Sequence, residues 1–202
     1  MIRKGRGFTL KNSTELIFLL DRSGSMGGLE DDTIGGFNGF IKRQCQMGPT
    51  KLTAVLFDDE YEILWNGVDA HDVKLTSDQY YVRGCTALLD AVGKTILDVG
   101  LRLSKTHEDE RSEKVIFVIT TDGMENASRE FTYTKVKELI RHQQEKYKWD
   151  FIFMGANIDV AKEADLIGIH ADHAYHFESN SKGVEAMYNV VTEAVMEKRI
   201  RK

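Results

Sequence analysis

Two short, unbroken apolar runs, Glu15 to Leu20 and Val115 to Thr120, constrain this chain more than any other feature of it. Runs of that length without polar alternation are what strands buried on both faces of a parallel sheet require. Between and after them, apolar residues recur at helical spacing. Ile34, Phe37, Ile41 and Cys45 follow the Gly27-Gly28 break and end at Pro49, and Leu89, Val92, Ile96, Val99 and Leu103 mark a second helix starting near Thr86. Lys51 to Phe57 and Tyr61 to Trp65 read as strands joined only by Asp58-Asp59-Glu60, which implies an antiparallel hairpin at one edge of the sheet. Lys105 to Lys114 is a charged loop. Beyond the second apolar run come a helix around Val136, Leu139 and Ile140, a strand from Trp149 to Met154, and a helix from Val160 to Ile167. A weaker strand at His173 to Phe177 precedes a final helix on Val184, Met187, Val191 and Val195.

This order predicts an α/β fold: a doubly wound, mostly parallel central sheet of about six strands, with one antiparallel edge hairpin and helices on both faces. The 202 residues are 42% hydrophobic, contain one proline and show no repeat or linker, so they read as a single domain over 1–202.

Charge and cysteine usage narrow the functional classes. A net charge of −5 argues against nucleic acid as the partner. The basic cluster Lys198, Arg199, Arg201 and Lys202 reads as a solvated tail. Arg3, Lys4 and Arg6 precede an apolar run too short for a signal-peptide core, and no later run reaches membrane-spanning length. Cys45 and Cys85 are isolated thiols in a chain large enough to fold without a staple. The expectation is a cytoplasmic protein that engages neither nucleic acid nor membrane.

In doubly wound sheets, sites form outside the carboxyl ends of the strands, where the chain reverses its winding. Asp21 ends the first apolar run and is followed by Arg22-Ser23-Gly24-Ser25-Met26, while Thr121-Asp122-Gly123 ends the second. If the two strands are neighbours, Asp21 and Asp122 face one another, and the loop Arg83-Gly84-Cys85-Thr86 can deliver Thr86 to the same point. The expected constellation is therefore Asp21, Ser23, Ser25, Thr86 and Asp122, an all-oxygen set suited to a hard divalent cation. Taken singly, the serines could cap a helix and Asp122-Gly123 could form a turn.

In order and spacing, Asp21-x-Ser23-x-Ser25, Gly84-x-Thr86-Ala87-Leu88 and Thr121-Asp122-Gly123 resemble the metal-ion-dependent adhesion site (MIDAS) of a von Willebrand factor A (VWA) domain. The resemblance covers nearly the whole chain and suggests the stand-alone, intracellular bacterial or phage type. It implies that Ser23 and Ser25 bind the cation directly, Thr86 directly or through water, and Asp21 and Asp122 largely through water. Mg²⁺ is the implied cofactor, with Mn²⁺ or Ca²⁺ as alternatives. Neutral hydroxyls leave the cation electrophilic, so the implied partner is a protein that presents Glu or Asp to it. Some members of the family move the last helix on binding, which corresponds here to Val184 to Val195. Cys85 stands where the family commonly has glycine, and its soft thiol does not suit a hard cation. Arg22, Met26, Arg83, Asn126 and Asn157 are expected on the rim.

The remaining polar features have plainer expectations. Asp90 could support the loop or a water near the centre but reads first as a solvated or locally bonded helix residue, and Asp58-Asp59-Glu60 read as exposed turn formers. Asn157, although close enough to line the rim, is placed to cap the helix that follows it. His170, His173 and His176 cannot all converge from a strand, where residues three apart face opposite ways. The alternative function is a Mg²⁺-dependent phosphoryl-transfer enzyme or phosphohydrolase using Asp21. Position 23 is serine rather than a second acid, no Gly-Lys-Ser/Thr cradle is present, and Ser23 lacks a Gly-x-Ser-x-Gly context. The reading is therefore a non-catalytic interaction domain.

Overall fold

The structure, a computed structural model, describes residues 13–201. Its six-stranded sheet has the order β3-β2-β1-β4-β5-β6. The strands are β1 (Thr14–Asp21), β2 (Thr50–Phe57), β3 (Tyr61–Asp69), β4 (Lys114–Thr121), β5 (Asp150–Gly155) and β6 (Ala174–His176). Every neighbouring pair is parallel except β2 and β3, the expected edge hairpin. β1 lies between β2 and β4, with Leu20 opposite Leu56 on one side and Thr120 on the other. The winding reverses there, so β1 and β4 end side by side.

Side-chain alternation divides β1 between two cores. Leu16, Phe18 and Leu20 face α1 (Glu30–Met47) and α5 (Ser181–Ile200), through Phe37, Phe40, Met187, Tyr188 and Val191. Ile17 and Leu19 face the layer of α2 (Leu88–Lys105), α3 (Tyr133–Tyr147) and α4 (Val160–Leu166), through Val92, Ile96, Ile140 and Ala164. Each fully buried Leu or Phe of this kind contributes about 1.5–3 kcal/mol relative to exposure. On the first face, α1 approaches α5 at Gly36. A Cβ there would lie 2.0 Å from the Tyr188 ring, so this close packing depends on glycine.

Two local expectations change. α2 begins at Leu88 rather than near Thr86: Ala87, the residue before it, has non-helical backbone (φ −94°, ψ 60°), and its N–H bonds to the Asp58 carbonyl at 2.8 Å. The basic C-terminal cluster is not a solvated tail: Lys198 is buried against Asp150 at 3.0 Å, and Arg199 donates to the Gln44 carbonyl and to Thr50 Oγ1. Lys202 lies outside the described residues, as do Arg3, Lys4 and Arg6. Cys45 and Cys85 are free thiols. No helix among the described residues is long and apolar enough to cross a membrane.

Candidate metal centre

The carboxyl ends of β1 and β4 bring the three polar segments together. Asp21 is buried, and its Oδ1 accepts from the Ser23 N–H at 2.7 Å. Its Oδ2 accepts from Thr121 Oγ1 at 2.7 Å and from the Asp122 N–H at 3.4 Å. Tyr80 donates to the Asp21 carbonyl at 2.7 Å. Burial pushes the Asp21 carboxyl above the ordinary carboxylate range, while the bonds from Ser23, Thr121 and Asp122 pull against that shift. A cation nearby would add to that pull and favour the ionised form.

Beyond Asp21 the chain makes a short 3₁₀ turn, Gly24–Met26, and this fold-back sets Ser23 Oγ 3.0 Å from Ser25 Oγ. Two oxygens on one edge of a Mg²⁺ octahedron lie about 2.9 Å apart, given metal–oxygen bonds of about 2.0–2.1 Å. Thr86 is held by the loop after β4. Its N–H donates to Asn126 Oδ1 at 2.9 Å, and its carbonyl accepts from the N–H groups of Asn126 and Ala127. Gly123 shows where these hydroxyls meet. A Cβ built on it would lie 3.3 Å from Thr86 Oγ1 and 3.4 Å from Ser25 Oγ, so the glycine leaves open a small volume lined by both. Asp122 is buried behind it, accepting from Ser179 Oγ at 2.5 Å and from Asn157 Nδ2. Burial raises its carboxyl above the ordinary range against those two bonds.

The donor set fits a hard divalent cation. It consists of oxygens only, and among the described residues no three His, Cys, Asp or Glu side chains form a metal-binding group. The hydroxyls of Ser23, Ser25 and Thr86 supply neutral oxygens beside the two buried carboxylates of Asp21 and Asp122.

The rim differs from expectation at two of its five positions. Arg22 and Met26 are buried. The Arg22 side chain is drawn to the β2–β3 hairpin, where its Nε meets Asp58 Oδ2 at 2.8 Å and its Nη1 meets Glu62 Oε2 at 2.6 Å. Arg83 keeps partial exposure while pairing with Asp58 and Glu60. Asn126 is exposed beside Thr86, and its Oδ1 accepts from the Thr86 N–H. Asn157 does not cap α4; Asp159 does, accepting from the Lys162 N–H, while Asn157 adopts a left-handed φ of 57° and turns its amide to Asp122.

Two acidic expectations are also corrected. Asp58 is fully buried rather than an exposed turn former, because two arginines converge on it. Asp90 is likewise buried, and it accepts from the backbone N–H groups of Arg129, Glu130 and Phe131 at 2.8 to 2.9 Å. His170 accepts from its neighbour Asp172 N–H, whereas His173 Nε2 lies 3.4 Å from Lys198 Nζ.

Sequence reasoning assigned no role at the centre to Thr121, Tyr80 or Ser179. Thr121 had a signal, since it is the last polar residue of a buried strand directly before Asp122. Ser179 had none, because its partner Asp122 lies 57 positions earlier in the chain.

No protein-family model matches the chain, and no curated protein matches its sequence. Solved structures do match in fold. The vWF domain of the type V pili tip protein Mfa5 from Porphyromonas gingivalis superposes with a TM-score of 0.67 at 10% identity, over 94% of this chain and 97% of that one. Proximal thread matrix protein 1 from the mussel byssus, with a zinc-occupied MIDAS motif, gives 0.62 at 15% identity over 91% of this chain. This chain spans 46% of the length of that protein. Manganese-loaded TRAP protein from Plasmodium vivax gives 0.62 at 16% identity, over 88% of this chain and 72% of that one. The six-stranded, doubly wound sheet with its antiparallel edge is thus the three-layer fold of VWA domains.

Proposed function

We propose that this chain is a non-catalytic, divalent-cation-dependent protein-interaction domain acting in the cytoplasm. The observation that carries the reading is the approach of Ser25 Oγ and Thr86 Oγ1 to one small volume over Gly123, with Ser23 Oγ 3.0 Å from Ser25 Oγ. In this reading Ser23, Ser25 and Thr86 hold the cation, and the buried carboxylates of Asp21 and Asp122 balance its charge through water. The cation is Mg²⁺, with Mn²⁺ or Ca²⁺ able to replace it. It supplies an electrophilic position, only weakly neutralised by hydroxyl ligands, to which a Glu or Asp of a partner protein binds. The zinc-occupied MIDAS motif of the mussel protein and the manganese-loaded TRAP protein support a divalent ion in this fold.

Arg22 weighs against phosphoryl transfer through Asp21. It is the cation nearest in sequence, yet its guanidinium is engaged by Asp58 and Glu62 instead of lying where it could stabilise a transferred group.

Titration calorimetry with Mg²⁺, Mn²⁺ and Ca²⁺ tests the reading. Wild type should bind one cation, and Ser25→Ala and Thr86→Ala should each lose most of that affinity while remaining folded. A wild type with neither cation-linked heat nor a thermal shift at millimolar metal would falsify the metal site. Capture of partners in Mg²⁺, in chelator and with Asp21→Ala then tests the interaction. Partners retained in all three conditions would move the binding surface elsewhere.

A further inference from the structure

Arg22, between Asp21 and Ser23, heads the fully buried side chains by size, and its closest carboxylate, Asp58, is equally buried. Burying such a pair does not in general favour stability over a well-packed apolar alternative. What this pair does is join loops. Asp58 sits at the turn between β2 and β3, and its Oδ2 accepts from Arg22 Nε at 2.8 Å and Arg83 Nε at 2.7 Å. Arg22 belongs to the loop that carries Ser23 and Ser25, and Arg83 to the loop that carries Thr86. One carboxylate oxygen therefore bridges both hydroxyl-bearing segments.

Backbone bonds follow the same lines. The Arg22 N–H donates to the Phe57 carbonyl at 2.9 Å, and the Arg83 N–H to the Arg22 carbonyl at 2.8 Å. The Ala87 N–H, directly after Thr86, donates to the Asp58 carbonyl at 2.8 Å. The Cys85 N–H donates to Asp59 Oδ1 at 3.3 Å. The Thr86 loop passes this close to the turn because residue 84 is glycine at φ +67°; a Cβ there would lie 1.8 Å from Asp59 Oδ1. Tyr81 covers both guanidinium groups, with its ring centre 5.6 Å from Arg22 Cζ and 5.8 Å from Arg83 Cζ.

We infer that Asp58, with Arg22 and Arg83, is a positioning group for the cation, fixing the distance between the Ser23/Ser25 turn and Thr86 without touching the cation itself. The inference rests on the metal reading above. Groups that orient metal ligands typically change affinity by about 10–100-fold when removed. Replacing Asp58 by Asn keeps the shape but removes the charge that draws both arginines together, so the two loops keep only their backbone bonds to each other and to the turn.

The test is Mg²⁺ and Mn²⁺ affinity of Asp58→Asn and Arg83→Gln, measured well below their melting temperatures, beside Tm in chelator and the EPR line shape of bound Mn²⁺. Asp58→Asn should bind about 10–100-fold more weakly with an altered Mn²⁺ spectrum. Arg83→Gln should show a smaller loss in the same direction. A purely structural role would lower Tm in chelator and leave both affinity and line shape as in wild type, which overturns the inference. If Asp58→Asn does not fold, Arg83→Gln and Asp59→Ala, both at exposed or partly exposed positions, decide it: wild-type affinity in both overturns it. A wild type that binds no cation overturns the metal reading instead, so the two failures are distinguishable.

Discussion

At the carboxyl end of β1, Arg22 and Asp58 are fully buried and tie one loop to another. At the amino end of the same strand Glu15 is just as buried, but Arg102 reaches it from α2. Arg102 also bonds Thr53 on β2 and Asn66 on β3, so this lower network fastens a helix to strands that the sheet ladder already holds in register. The upper network fastens segments that no ladder fixes. Removing a charge from the lower network should therefore cost stability alone, while removing one from the upper should also cost the geometry of the hydroxyls. Glu15→Ala is the strongest test. Leaving Arg102 without its carboxylate should destabilise the protein by about 3 kcal/mol in urea unfolding, with cation affinity unchanged in the folded state. The loss is less than for a fully buried pair because Arg102 is partly exposed and keeps its bonds to Asn66 and Thr53. If Glu15→Ala weakened cation binding as much as Asp58→Asn, the two ends would be coupled and the contrast would be wrong.

The same contrast explains what could be read from the sequence. Leu16 to Leu20 in β1 and Val115 to Ile119 in β4 announced themselves because burial on both faces leaves a strand no polar position, and the hairpin because three residues cannot cross a sheet. Asp21, Ser23, Ser25, Thr86 and Asp122 were legible because each stands at a strand or helix end in a local pattern. Asp58 was not. Local statistics make an acidic hairpin turn solvent-exposed, and what buries this one is Arg22 and Arg83, 36 and 25 positions away. Arg22 and Met26 were misplaced for a related reason: proximity in sequence to the candidate centre does not say which way a side chain turns. Asn157 lost its expected capping role to Asp159, two residues on, which freed its amide for Asp122.

Asp90 lies between the two regimes and sharpens the comparison. It belongs to the first turn of α2, a regular element, yet its carboxylate collects three backbone N–H groups from the loop that also carries Asn126, the partner of Thr86. Asn at this position retains one acceptor oxygen and turns an NH₂ toward donors. Asp90→Asn should therefore cost about 1–3 kcal/mol, the range for leaving buried donors unsatisfied. Because the loop it releases supports Thr86, cation affinity should fall as well, though less than in Asp58→Asn. Urea unfolding and calorimetry on the same variant check both halves. A stability loss with full cation affinity would place Asp90 with the lower network.

The smallest expected effect is a pH dependence at the amino-terminal end of the sheet. His173 is partly buried, and its Nε2 lies 3.4 Å from Lys198 Nζ, which is itself paired with Asp150. Burial first, and then the Lys198 charge, hold the imidazole below its ordinary value of 6.5, with Asp150 and Asp172 opposing. Between that depressed folded value and about 6.5 the unfolded chain binds more protons than the folded one, so stability rises with pH across this window. The contribution is complete above about pH 6.5 and is lost as pH falls through the folded value. His173→Gln should thus flatten the decline of Tm on acidification from neutrality. Cation affinity should be the same in both proteins at any pH where both are folded, since nothing in this network reaches the hydroxyls. An unchanged Tm slope would remove His173 as the titrating group, and a shifted cation affinity would show that the lower end of the sheet is not as separate from the upper as its bonding implies.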